Sequence, residues 1–163
     1  MLLVAKRRVT NQTSRSFTTR LIRWLWVLVA LAAAVVFAVL LARLTLRPVP
    51  GAGGQVHTND HPGATLRFYL DRPSIREAVL EIGGNLALLM PLGVLLPVLF
   101  AGLRGFVRVT LAVAVISLGI ESIQGLLITG RAFDVDDVIL NTVGAAIAYL
   151  LVGRRIGRWA HPG

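Results

Sequence analysis

The chain contains no cysteine, and only eight of its 163 residues are acidic, against 17 basic ones. The first absence excludes disulfides, thiolate metal sites and cysteine nucleophiles. None of the eight acids lies within residues 1–59, so the basic residues there have no local carboxylate to pair with. Histidine is confined to His57, His61 and His161, outside every long apolar run. A serine–histidine pair or a histidine-ligated metal inside a membrane span is therefore excluded.

Apolar residues are abundant. At 55% hydrophobic content and a mean hydropathy of +0.73, the composition is that of an integral membrane protein. Four runs, at 24–41, 78–99, 106–128 and 138–152, are apolar enough to cross roughly 30 Å of hydrocarbon as helices. The expected fold is all-α, a four-helix membrane bundle in the cell membrane. It comprises a basic tail over residues 1–23, a membrane domain over 24–152 and a second basic tail over 153–163. A Pro/Gly-rich outer loop at 42–77 belongs to the membrane domain. The last run is short, about 15 residues at 1.5 Å each, unless Asp136 and Asp137 sit at the headgroups. The first run exceeds the 7 to 15 apolar residues of a cleavable signal and ends in Leu40-Leu41, so it reads as a retained span.

A net charge of +9 raises the question of nucleic acid, but its distribution answers it. Lys6, Arg7, Arg8, Arg15, Arg20 and Arg23 precede the first run, Arg104 and Arg108 separate the second from the third, and Arg154, Arg155 and Arg158 follow the fourth. The positive-inside rule places all eleven, and both termini, in the cytoplasm. A purely basic inner face suits anionic membrane lipids as partners, with no nucleic acid.

Local signals mark the helices. Ser74 and Glu77 form a capping box after Pro73. Pro91 removes the hydrogen bond to the Ala87 carbonyl and bends the second span. Ser117, Glu121 and Gln124 follow one another at offsets of four and three, on one stripe of the third span. Gly130 occupies a helix-ending position, and Asp134 caps the fourth span with Asp137 at its third residue. The segment RPVPGAGGQVHTNDHPG, at 47–63, reads as a solvated linker. His57, Asp60 and His61 have a spacing that a metal could use on a helix, but the surrounding Gly and Pro argue against one, and no metal or cofactor is expected.

Four of the eight acids fall between Glu121 and Asp137. Ionisable residues at membrane depth are expensive and face a bundle interior or a cavity. Under the expected topology Glu81, Asn85, Glu121, Gln124, Arg131, Asp134, Asp137 and Asn141 all fall in the outer half of the membrane or at its rim, and are expected to form one outward-facing polar pocket. Asn85 and Glu121 lie at matching depth, and two polar residues so placed on neighbouring helices can hydrogen-bond each other. Polar side chains also simply cross-link helices, at about 0.6 to 2 kcal/mol each, so a structural role competes at each position.

At these residues the chain resembles the VanZ-like family of small bacterial integral membrane proteins. The resemblance rests on NLALLMPLGVLLP from Asn85 and on ESIQ…RAFDVDDVILNTVGA from Glu121 to Ala145. Those blocks are similar to the family's Asn-to-Pro-x-Gly helix and to its Glu-x-x-Gln, Arg and Asp-x-x-Asp-x-x-x-Asn motifs, with Pro91, Gly93 and Gly144 as structural positions. The resemblance covers about residues 40–152 and implies a bacterial envelope protein linked to teicoplanin-type glycopeptide susceptibility. An envelope lipid-linked or glycopeptide ligand is the expected partner. The alternative is an intramembrane enzyme that uses Glu and Asp for acid–base or metal chemistry on a lipid-linked substrate. A small proton-coupled transporter is a third class, unsupported by any inverted repeat.

Overall fold

The computed structural model describes residues 2–49, 58–71 and 73–160, with backbone only for 2–18 and 20. Helix α1 (Leu2–Thr45) is followed by a short α2 (Ala64–Leu70), then α3 (Ile75–Leu88), α4 (Met90–Leu99), α5 (Phe106–Leu127), α6 (Val135–Ala148) and α7 (Arg154–Ala160). A π turn, Tyr149–Gly153, joins α6 to α7. Among the described residues there is no strand, and the one strand-like pairing is an isolated parallel bridge between Asn59 and Asp134.

Four helical stretches are long and apolar enough to cross a membrane: Leu21–Thr45, Ile75–Leu99, Phe106–Leu127 and Val135–Ala160. The fourth has 26 residues, about 39 Å at 1.5 Å each, because the π turn continues the helix past the expected end of the apolar run. Residues 154–160 are thus helix rather than tail. The basic segment before Leu21 is likewise helical, as part of α1. No Gly or Pro interrupts residues 2–45, and the helix stops three residues before Pro48.

The second span divides where the proline signal placed a bend. Leu89, fully buried with φ −102° and ψ 6°, separates α3 from α4, and Pro91 occupies the first turn of α4. The Ala87 carbonyl, which Pro91 cannot serve, accepts from the Leu89 N–H. Ser74 caps α3 by accepting from the Glu77 N–H at 3.4 Å. Gly130, at φ 79°, is the third residue of a four-residue turn closed by Arg131 N–H to Ile128 O at 3.1 Å, the position that requires glycine in a type II turn.

Helix α6 packs between α3 and α5, and α4 packs against α6 and α7. Lipid tails are as apolar as leucine, so helices in a membrane associate through close backbone approach at small residues. A Cβ at Gly144 would overlap the Leu86 carbonyl oxygen, and one at Gly93 would overlap that of Ala145. Pro97, inside α4, cannot bond the Gly93 carbonyl, and Gly153 covers that oxygen so closely that a Cβ there would overlap it. Four-residue steps drift by about 40° each on a regular α-helix. The wider π turn absorbs that drift, so Ala145, Tyr149, Gly153 and Gly157 all stay buried on the α4 side. Leu89, Leu96, Val109, Val113, Ala145 and Tyr149 form the apolar core. The Tyr149 hydroxyl donates to the Arg104 carbonyl, tying the π turn to the connection before α5.

Gly144→Ala forces a methyl group against backbone, which cannot swing aside. The variant should lose about 1–3 kcal/mol and unfold at lower temperature in detergent. Gly119→Ala, where an added Cβ meets open space, should be neutral or slightly stabilising. Equal unfolding temperatures for the two variants would contradict the close approach of α3 and α6.

Candidate functional site

The site is organised by the start of α6. Asp134 is its N-cap, with Oδ1 accepting from the Asp136 N–H at 2.8 Å. The Asp134 N–H in turn donates to Glu121 Oε2 on α5 at 3.3 Å. Before the helix, Phe133 O accepts from Asn59 N–H at 2.9 Å, and Val135 N–H donates to Asn59 O at 3.0 Å. The end of the loop that follows α1 is thereby stitched to the head of the fourth span.

Asp136, 4% exposed, acts at a distance in sequence as the cap of α2. Its Oδ1 accepts from Gly63 N–H at 2.5 Å, and its Oδ2 accepts from Thr65 N–H at 2.8 Å and Leu66 N–H at 3.3 Å. These are first-turn donors that have no partner inside their own helix. Asp134 takes the neighbouring donors, Thr65 Oγ1 at 2.5 Å and Asn59 Nδ2 at 2.8 Å. Residues 59–66 are therefore docked on α6. The expectation of a solvated linker holds for Asp60 and His61, which form an exposed pair at 3.5 Å, but not for Asn59 beside them. His57 lies outside the described residues.

Under this docked segment is a cavity of about 70 Å³, lined by Thr65, Leu66, Tyr69, Glu81, Ile82, Asn85, Asp134, Asp137 and Leu140. Asn85 Nδ2 donates to Asp137 Oδ1 at 2.5 Å across the α3–α6 interface. Glu81 lies one turn before Asn85 on the same helix. Among the described residues, three carboxylates and one amide line the cavity, and no basic side chain does. Beside it runs an apolar groove of about 340 Å³, between α2 and α3, lined by Tyr69, Leu70, Ile75, Ala78, Val79, Ile82 and Gly83. Tyr69 and Ile82 line both hollows, so the two adjoin at these side chains.

Of the eight residues singled out in sequence, Glu81, Asn85, Asp134 and Asp137 line this cavity. Glu121, 4% exposed, sits behind it through the Asp134 N–H. The remaining three are engaged elsewhere. Gln124 Nε2 donates to the Thr45 carbonyl at 2.8 Å, and Arg131 donates to the carbonyls of Arg47 at 3.2 Å and Leu44 at 3.3 Å, so both fasten the end of α1. Asn141 Nδ2 donates to Ser117 Oγ at 3.1 Å, joining α5 to α6. Asn85 and Glu121, at matching depth, do not bond each other: α6 lies between their helices and supplies Asp137 to one and the Asp134 N–H to the other. Among the described residues no group of three or more His, Asp or Glu side chains is placed to hold a metal ion.

Asn59, Thr65, Tyr69 and Asp136 are the lining or supporting residues that sequence reasoning did not select. Asp136 carried a signal, as the one acid of the 134–137 cluster with no role in the helix cap. Asn59 carried none.

A family model described as VanZ/LLP1 matches residues 17–155. The chain belongs to the VanZ/LLP1 family. No curated protein and no solved structure matches it. The VanZ/LLP1 match takes in the first three membrane-length helices, the fourth as far as Arg155, and every residue of the cavity, so the chain is a VanZ-like multi-pass membrane protein.

Asp136→Ala removes three acceptor contacts from α2 and leaves its N–H donors unsatisfied. The docked segment should lose about 1–3 kcal/mol of local stability. Amide hydrogen exchange over residues 59–66 should accelerate accordingly while α4 and α5 stay protected, and unchanged exchange would contradict the capping role.

Proposed function

We propose that this VanZ-like protein holds a membrane amphiphile at the outer face of the cell membrane. The head of that amphiphile enters the acidic cavity, and its apolar part lies in the α2–α3 groove. The observation that carries the reading is that a polar, acidic cavity and an apolar groove adjoin at Tyr69 and Ile82. Three carboxylates and one amide, the charged and amide groups that line the cavity among the described residues, favour a cationic or hydroxyl-bearing head over an anionic one. Arg131 does not line the cavity, and its Nε and Nη2 already donate to the carbonyls of Arg47 and Leu44. The outward orientation rests on the eleven basic residues that the positive-inside rule assigns to the other end. The family resemblance makes a teicoplanin-type glycopeptide, or the lipid-linked envelope component it competes with, the first ligand to test.

Expression in a susceptible bacterial host should lower teicoplanin-type glycopeptide susceptibility and surface binding of the labelled antibiotic. Asp137→Ala should abolish both effects, the loss of a charge-assisted contact weakening ligand binding about ten- to hundred-fold. Asp60→Ala and His61→Ala should behave as the parent. Unchanged susceptibility and unchanged surface binding on expression of the parent chain would remove the antibiotic from the proposal.

An intramembrane enzyme is the second reading, favoured by Glu81 and Asp137 lining one cavity. Glu81→Gln separates the two. Hydrogen bonding by the head of a ligand tolerates the amide within a few-fold, whereas acid–base chemistry does not survive it.

A further inference from the structure

At the opposite end of the bundle from the acidic cavity is a second hollow, of about 320 Å³, lined by Trp26, Arg155, Ile156 and Trp159. It lies between the start of the first span and the end of the fourth. The two indoles meet edge to face, with ring centroids 5.9 Å apart and planes at 87°. Both remain about half exposed, at 53% for Trp26 and 46% for Trp159. The π turn creates this arrangement. By keeping Gly153, Gly157 and Ala160 against α4 and the nearby part of α1, it leaves Arg155, Ile156 and Trp159 on the flank that meets Trp26.

The charge around the hollow is of one sign. Arg155 lines it, Arg158 follows three residues on along the same helix, and Arg23 lies one turn before Trp26 on α1. None of these guanidinium groups has a carboxylate within 4.0 Å among the described residues. The chain contains no acid in residues 1–59 and none after Asp137, so neither element can supply one. A groove whose walls are indole and isoleucine, with free guanidinium groups beside it, at the end of two membrane spans, complements one kind of molecule. Acyl chains fill the apolar part and a phosphate meets the arginines.

We infer that the Trp26–Trp159 groove is a binding site for an anionic phospholipid, whose phosphate is held by Arg155 with Arg158 and Arg23. The site is independent of the acidic cavity and of any ligand bound there. It explains why the two tryptophans are held edge to face without closing on each other, and why the end of the fourth span is rich in arginine. Occupancy by lipid also fills a gap between α1 and α7 that side chains leave open, so the lipid joins the first span to the rest of the bundle.

Bromine-labelled phospholipids quench tryptophan on contact and supply the test. In a Trp24→Phe background only Trp26 and Trp159 emit. In mixed bilayers, brominated phosphatidylglycerol should quench this protein more strongly than brominated phosphatidylcholine at the same mole fraction. Arg155→Gln should reduce that preference about five-fold, and Arg155→Gln with Arg158→Gln should reduce it toward none. Arg155→Lys should retain most of it, and Arg67→Gln on α2, at the other end, should leave it unchanged. Raising the salt concentration in the parent protein should weaken the preference without any substitution, which keeps the test intact if a variant fails to fold. Equal quenching by the two lipids would overturn the inference, as would a preference that survives the double substitution. Protection of the tryptophans from both lipids in a dimer would overturn it too, because a second copy would then occupy the groove.

Discussion

Backbone approach between α6–α7 and α3–α4 is the constraint on which the rest of the molecule depends. Leucine against leucine gains little in a bilayer, where the competing contact is equally apolar. What holds these helices is the fit of Gly144 against the Leu86 carbonyl, Gly93 against that of Ala145, and Gly153 against that of Gly93. Those contacts set the register of α6 on α3. Asp137 lies two turns before Gly144, and Asn85 directly precedes Leu86, so the same register brings the carboxylate to the amide. The polar site is thus a consequence of where glycine permits two backbones to touch.

Proline acts in the same system. Pro91 and Pro97 each free a carbonyl in the second span, and in a membrane a free carbonyl needs a protein neighbour. Leu89 turns its own N–H to the first, and Gly153 of the π turn closes over the second. The interrupted span and the π turn are therefore complementary irregularities, one on each side of a single interface. Together they hold the fourth span on one line along α4 for its full length.

The two ends of the bundle differ in chemistry. At one end carboxylates dominate: Asp136 accepts from N–H groups of residues 59–66, Asp134 accepts from the Asn59 amide, the Thr65 hydroxyl and the Asp136 N–H, and Asp134, Asp137 and Glu81 line the cavity. At the other end arginines stand free beside tryptophan. Arginine at the acidic end is used differently: Arg131 donates to the carbonyls of Leu44 and Arg47 and so fastens the end of α1. Each end can thereby interact with a different polar group while the span between them stays apolar.

Local features were legible in the sequence because their causes are local. The Ser74 cap, the break at Pro91, the buried stripe of Ser117, Glu121 and Gln124, the turn at Gly130 and the Asp134 cap each depend on residues within one or two turns. Four membrane-length helices followed from apolar run length alone. The partners of the polar side chains were not legible. Depth could be counted from sequence, but depth does not say which helix lies between two others, and α6 between α3 and α5 redirected Asn85 to Asp137 and Glu121 to the Asp134 N–H. The docking of Asn59, the capping of α2 by Asp136 and the π turn likewise arise from contacts between distant segments. Sequence by itself determined the class, the spans, their caps and the inventory of membrane-depth polar groups, because these follow from hydrophobicity and backbone chemistry along one chain. Only the tertiary structure decided which of those groups share a cavity, because that depends on the close approach of helices at Gly93, Gly144 and Gly153.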